Sequence, residues 1–115
     1  MDSEQTLSPS ITRLEKLLDG AHDGALLRYA LGNEWLKAGH AAKAVDYLRQ
    51  SLALDPSASA AWKLLGKALS ANGEIAAAVE AFTQGITAAT SHGDIQAAKE
   101  MTVFLRRLRR DTPSA

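Results

Sequence analysis

The sequence predicts an all-α domain built from helix pairs, and three observations lead there. Apolar residues recur at helical spacing through six segments, breaks rich in Gly, Asp, Ser and Pro separate them, and part of the pattern returns after thirty-four residues. Aromatics are few and proline is rare, a balance that favours helices over a sheet.

The segments follow in order. A disordered lead-in is expected over 1–9, one domain over 10–110 and a tail over 111–115. Ser8-Pro9 reads as an N-cap and first helical position, where proline lacks only a donor that would be unpaired anyway. Ile11, Leu14, Leu17 and Leu18 share a face before Asp19-Gly20 stops the first helix. Asp23 is expected to cap the second, which carries Leu27, Leu31 and Trp35 and ends at Gly39. The third starts near Ala41, has Val45, Leu48 and Leu52 on one stripe, and stops at Asp55-Pro56, because the residue before proline is driven out of the helical region. Ser57 or Ser59 is expected to cap a fourth, with Trp62, Leu65 and Leu69, ending at Asn72-Gly73. A fifth runs from Ile75 past Val79, Phe82 and Ile86 to Ser91-His92-Gly93. Asp94 caps a sixth, with Ile95, Ala98, Met101, Leu105 and Leu108 on its apolar side.

At 115 residues the chain can bury one core. Lys plus Arg equals Asp plus Glu at 13 each, so no overall charge points to nucleic acid or membrane. Without cysteine there is no disulfide, thiolate zinc site or cysteine nucleophile. The start, MDSEQTLSPS, lacks the basic-then-apolar order of a secretory signal, and no apolar run approaches the roughly 20 residues that cross a bilayer. A cytoplasmic protein is expected.

A shift of thirty-four lays Leu31-Gly32 on Leu65-Gly66, Gly39 on Gly73, Ala44 on Ala78, Val45 on Val79, Leu48 on Phe82 and Leu52 on Ile86. This period, with helix-turn-helix in each unit, resembles the tetratricopeptide repeat (TPR) family. Residues 25–58 look like one repeat, with Leu31-Gly32, Trp35, Ala44, Leu48 and Pro56 at signature positions, and residues 59–92 like a second, with Trp62, Leu65-Gly66, Leu69, Ala78 and Phe82. Arg28, where the family often has Trp, and Thr90, where it has Pro, depart from the pattern. The first helix resembles a preceding half-repeat, and 94–110 a capping helix. The whole resembles short, stand-alone bacterial proteins of the family. The resemblance implies a short right-handed superhelical solenoid that acts as a scaffold.

A glycine inside a helix costs about 1 kcal/mol against alanine, yet Gly32 and Gly66 recur at one offset. They mark the closest approach of the paired helices, facing Ala44 and Ala78, so that the neighbouring Leu and Phe interlock. Ser51 and Gly85, small again, serve the same purpose between units.

Chemical motifs are sparse. His22, His40 and His92 fall at helix connections with no partner at i+4, and there is no Gly-x-Ser-x-Gly elbow or phosphate loop, so neither enzyme, metal nor cofactor is expected. Trp35 and Trp62 sit among aliphatics at helical spacing and are read as core. The one charge cluster is FLRRLRR, Phe104 to Arg110, whose arginines suit the negative end of a helix.

That leaves a surface. The first helices of successive units line a concave side, where Leu26, Tyr29, Asn33 and Lys37, then Lys63, Lys67 and Ser70, then Met101 and Phe104 form the candidate groove. The family's carboxylate clamp is matched only by Asn33; Tyr29, Leu64, Asp94 and Ala98 stand at its other positions, so that specificity is not expected. Lys63 and Lys67, opposite Asn33, are expected to hold a carboxylate while Tyr29 and Phe104 grip a neighbouring apolar side chain. The resulting reading is a non-catalytic protein-interaction module, a monomer or weak homo-oligomer, binding a protein or peptide partner with an acidic or C-terminal carboxylate group. The alternative is a nucleic-acid or ribosome contact through the arginine-rich helix, with nucleic acid disfavoured and membrane excluded.

Overall fold

The computed structural model describes residues 8–111 and contains, within them, six helices and no strand. They are α1 (Pro9–Glu15), α2 (Ala25–Lys37), α3 (Ala41–Leu54), α4 (Ser59–Ala71), α5 (Ile75–Ser91) and α6 (Ile95–Asp111). Of the expected lead-in and tail, residues 1–7 and 112–115 lie outside the described residues. Ser8 and Pro9 cap and begin α1, as their sequence reading as N-cap and first helical position expected, so the helix starts inside the range given to the lead-in, and Asp111 ends α6.

The pairs α2–α3 and α4–α5 carry the main contacts, α3–α4 and α5–α6 join successive units, and α2, α4 and α6 touch along one side. The molecule measures 41 × 35 × 20 Å, the smallest dimension matching two layers of helices at about 10 Å each. The core is aliphatic: Leu31, Leu48, Leu65, Leu69 and Phe82 are fully buried, while Trp62 and Leu108 pack against both the α1–α5 cluster and the smaller one under α6. None of the described helices is long and apolar enough to cross a membrane.

Local chemistry sets the ends. Helices α2, α4 and α5 close in the same way, with Gly39, Gly73 and Gly93 at positive φ and the next amide bonding back into the last turn, as His40 N does to Trp35 O at 2.9 Å. Asp94 caps α6 as expected, its carboxylate accepting from Ala97 N at 3.2 Å. Two other expected caps are corrected. Gly24, not Asp23, is the N-cap of α2, and Ala58, not Ser57 or Ser59, is that of α4. Each side chain is engaged elsewhere: Asp23 holds Arg28 and the amide of Asp19, and Ser57 bonds to Asp55. α1 also ends three residues before Leu18, tightening into i−3 hydrogen bonds from Leu17 onward, with Asp19 at φ 64°.

Both family departures have a physical outcome. Arg28 makes a two-pronged pair with Asp23 (Nε–Oδ1 3.0 Å, Nη2–Oδ2 2.6 Å) and also donates to Gln50, tying the α1–α2 loop to α3. The Arg28 guanidinium, then the Asp19 amide, draws the Asp23 carboxyl down to about 2. Pro56 ends α3 at Leu54, whereas Thr90, its counterpart, lets α5 run three residues further in register, to Ser91.

Gly32 and Gly66 do mark close approaches, but their neighbours are large rather than small. A Cβ on Gly32 would lie 2.5 Å from Leu48 Cγ, and one on Gly66 2.5–2.7 Å from three atoms of the Phe82 ring. The glycines therefore face Leu48 and Phe82 instead of Ala44 and Ala78: the missing side chain is a socket for the partner helix's largest residue. Gly85 receives Met101 and Trp62 Cβ, joining successive units. Its counterpart Ser51 works differently, donating its hydroxyl to Ala25 O at 2.7 Å within one pair.

Candidate functional site

Most of the candidate groove residues remain at the surface, but they do not form one groove. Met101 is corrected outright. It is fully buried, packed into the Gly85 socket, and unable to touch a ligand. Lys37, exposed at the end of α2, pairs with Glu34 at 3.1 Å. Asn33 is half-buried and makes no side-chain hydrogen bond among the described residues. Trp35 is core as expected, its Nε1 buried without a partner; Trp62 is half-buried, with Nε1 donating to Pro56 O at 2.8 Å.

Lys63 reaches across from α4 to α6 and meets Glu100 at 2.6 Å. Glu100 also accepts from Gln96 at 3.2 Å, and the Lys63 ammonium, then the Gln96 amide, holds its carboxyl below the usual range. The protein's own carboxylate thus occupies the place that a ligand's was expected to take on Lys63. Sequence spacing could not show this, because Glu100 lies thirty-seven residues away on another helix.

One turn further along α4 the cations are free. Lys67, Ser70 and Ala71 on α4, Phe82 on α5, and Phe104, Arg107, Leu108 and Asp111 on α6 line a cleft of about 370 Å³. Phe104 stacks on Phe82 with ring centroids 5.5 Å apart and planes at 11°. Lys67 Nζ lies 5.4 Å and Arg107 Cζ 6.0 Å from the Phe104 centroid, within range of attraction to the ring. Among the described residues neither cation has a carboxylate within salt-bridge distance, whereas Asp111 on the rim lies 3.6 Å from Arg110. The cleft therefore offers two unpaired positive charges beside an aromatic wall.

Arg107 is the site residue that sequence reading placed elsewhere, within the arginine cluster offered as a rival surface. Its signal was present: it follows Phe104 by three residues, which puts both on one helical face. Groove and arginine helix meet in a single cleft, with Arg106, Arg109 and Arg110 outside it. Tyr29 and Phe104, by contrast, separate. Tyr29 joins Leu26 in another depression of about 220 Å³, with Ala25, Ser51, Asp55, Ala58, Ala60 and Ala61.

Two matched helix pairs, with a short helix before them and a longer one sealing the end, make this a helical-repeat protein whose glycine sockets recur in register. A tetratricopeptide repeat model matches residues 36–101. A TPR repeat-containing protein of Pseudomonas aeruginosa is 52% identical over 100 residues, covering 87% of this chain and 95% of that one. A Bordetella parapertussis protein of known solution structure is similar at 42% identity and TM-score 0.80 over 90% of both chains. A Salinibacter ruber tetratricopeptide repeat domain, 23% identical with TM-score 0.75 over 84% of this chain and 97% of its own, shares the fold. The chain belongs to the tetratricopeptide repeat family, whose members are generally non-catalytic scaffolds for protein–protein interaction.

Proposed function

We propose that this protein binds a peptide or partner-protein segment on the α2–α4–α6 side, with a carboxylate of the ligand held in the cleft between α4 and α6. The observation that carries the reading is the pair of uncommitted cations, Lys67 and Arg107, at one aromatic ring. A carboxylate between them gains charge-assisted hydrogen bonds of about 1.5–3 kcal/mol. The Phe104 ring, backed by buried Phe82, supplies the apolar contact beside it. The cytoplasmic location expected from the sequence belongs to the same proposal.

The test is an NMR titration of the ¹⁵N-labelled full chain with an end-blocked acidic peptide. Amides of Lys67, Ser70 and Arg107 should shift, and Lys67→Ala with Arg107→Ala should abolish the shifts while leaving the melting temperature nearly unchanged. Lys63→Ala should have a much smaller effect, because Lys63 already serves Glu100. Arg109→Ala with Arg110→Ala should leave peptide binding intact. If a single-stranded RNA oligonucleotide binds more tightly than the peptide, weakens steeply with salt and depends on Arg109 and Arg110, the interaction-module reading fails.

A further inference from the structure

We propose that Lys63 is a positioning residue for the cationic cleft: by holding Glu100 it keeps the protein's own carboxylate off Lys67. Without that hold, Glu100 moves one turn along α4, pairs with Lys67 and competes with an acidic ligand. This rests on the reading of the cleft given above.

Asp111 and Glu100 border the cleft, and each is drawn to a cation that does not line it. Asp111 lies 3.6 Å from Arg110. Glu100 precedes Phe104 by one turn of α6, and both its oxygens are engaged. Oε1 accepts from Lys63 Nζ at 2.6 Å, and Oε2 accepts from Gln96 Nε2 at 3.2 Å. Lys67 and Arg107 stay unpaired because these carboxylates are held elsewhere.

The alternative partner of Glu100 is near. Lys63 and Lys67 are four apart on a single face of α4, a rise of about 6 Å. Lys63 and then Gln96 hold the Glu100 carboxyl below its usual range, and the positive charge of Lys67 adds to the effect from further off. Lys67 is exposed on a flexible stem, so the two side chains can share a displacement of one turn. Its present neighbour is the face of Phe104, 5.4 Å away, which attracts an ammonium less than a full negative charge does. With position 63 uncharged, Lys67 is the one cation left on α4, and it is also the one a ligand needs. Because Glu100 is tethered, its carboxylate acts at an effective concentration of about millimolar order and competes with any more dilute ligand. Lys63 thus acts on the ligand through Glu100, without touching it.

The test uses the ¹⁵N,¹³C-labelled full chain with Lys63→Met, which removes the charge and keeps the apolar stem. Without ligand, the Glu100 carboxyl followed by carbon NMR should titrate close to its wild-type midpoint, and should rise toward the usual range when Lys67→Met is added. The Phe104 ring signals should move in Lys63→Met as Lys67 leaves the ring. With an end-blocked peptide carrying one glutamate, Lys63→Met should bind about threefold more weakly than the wild type, the size of one exposed ion pair. Adding Glu100→Gln should restore wild-type affinity, and Lys63→Arg should retain it. A Glu100 carboxyl that rises as far in Lys63→Met as in the Lys67 double variant, with the Phe104 signals unmoved, would overturn the proposal whatever the peptide does. A loss of affinity that Glu100→Gln does not restore would assign Lys63 a direct contact with the ligand and overturn it too. Absence of cleft shifts in the wild type would overturn the cleft reading and this role with it, while the ligand-free titration would still report whether Glu100 changes partner.

Discussion

Gly66→Ala sets two effects of opposite sign against each other, and the structure decides between them. Helix propensity alone predicts stabilisation of about 1 kcal/mol. The added methyl, however, would lie 2.5, 2.6 and 2.7 Å from three Phe82 ring atoms, separations that require something to move. Phe82 is 1% exposed, and its ring is stacked on Phe104, so it has no free end to swing aside. Overpacking of this kind costs about 1–3 kcal/mol. With the ring pinned, the upper part of that range applies, leaving a net loss of about 1–2 kcal/mol after the propensity gain. For a domain of this size that lowers the melting temperature by about 5–10 °C. Thermal and urea unfolding followed by circular dichroism would measure it. Phe82→Ala supplies the control: with no side chain left to enter the socket, adding Gly66→Ala should cost much less than in the wild type, a coupling that a double-mutant cycle isolates. A Gly66→Ala variant that melts above the wild type, with no coupling to position 82, would refute the socket explanation. Gly66→Leu should be worse, and Gly32→Ala should follow the same sign against Leu48.

Further expectations concern the end of the stack and its pH response. Deleting residues 94–115 empties the Gly85 socket of Met101 and uncovers Phe82 and Ala89, so the product should bind a hydrophobic dye and aggregate; a monomer with a sharp unfolding transition would contradict this. The Asp23 carboxyl is lowered to about 2 in the folded protein by Arg28 and the Asp19 amide, against about 3.9 unfolded. Its contribution is therefore complete above about pH 4 and lost as pH falls toward about 2. The melting temperature of wild type should therefore converge on that of Asp23→Asn across that interval, and a constant gap would remove the ion pair from the account.

Much of the fold was legible because it is periodic and local. Helix order, the breaks at Gly39, Asp55-Pro56, Gly73 and Gly93, the Asp94 cap and the thirty-four-residue repeat all depend on near neighbours in the chain. Even the difference between α3 and α5 was present in Pro56 against Thr90, because proline restricts the residue before it wherever it occurs. Caps were less secure, since Asp23 and Ser57 each had a competing partner whose attraction depended on loop geometry.

The site was legible as a list and not as an arrangement. Spacing placed Lys67, Ser70 and Phe104 on suitable helix faces, but three facts were decided only across helices. Glu100 neutralises Lys63, Met101 sinks into the Gly85 socket, and Arg107 joins Lys67 at the Phe104 ring. Helical periodicity states which residues share a face of one helix. Which of those faces meet, and at what height, is set by how Leu48, Phe82 and Met101 seat in glycine gaps on neighbouring helices. Pairing, burial and cleft formation depend on that seating and therefore belong to the tertiary structure.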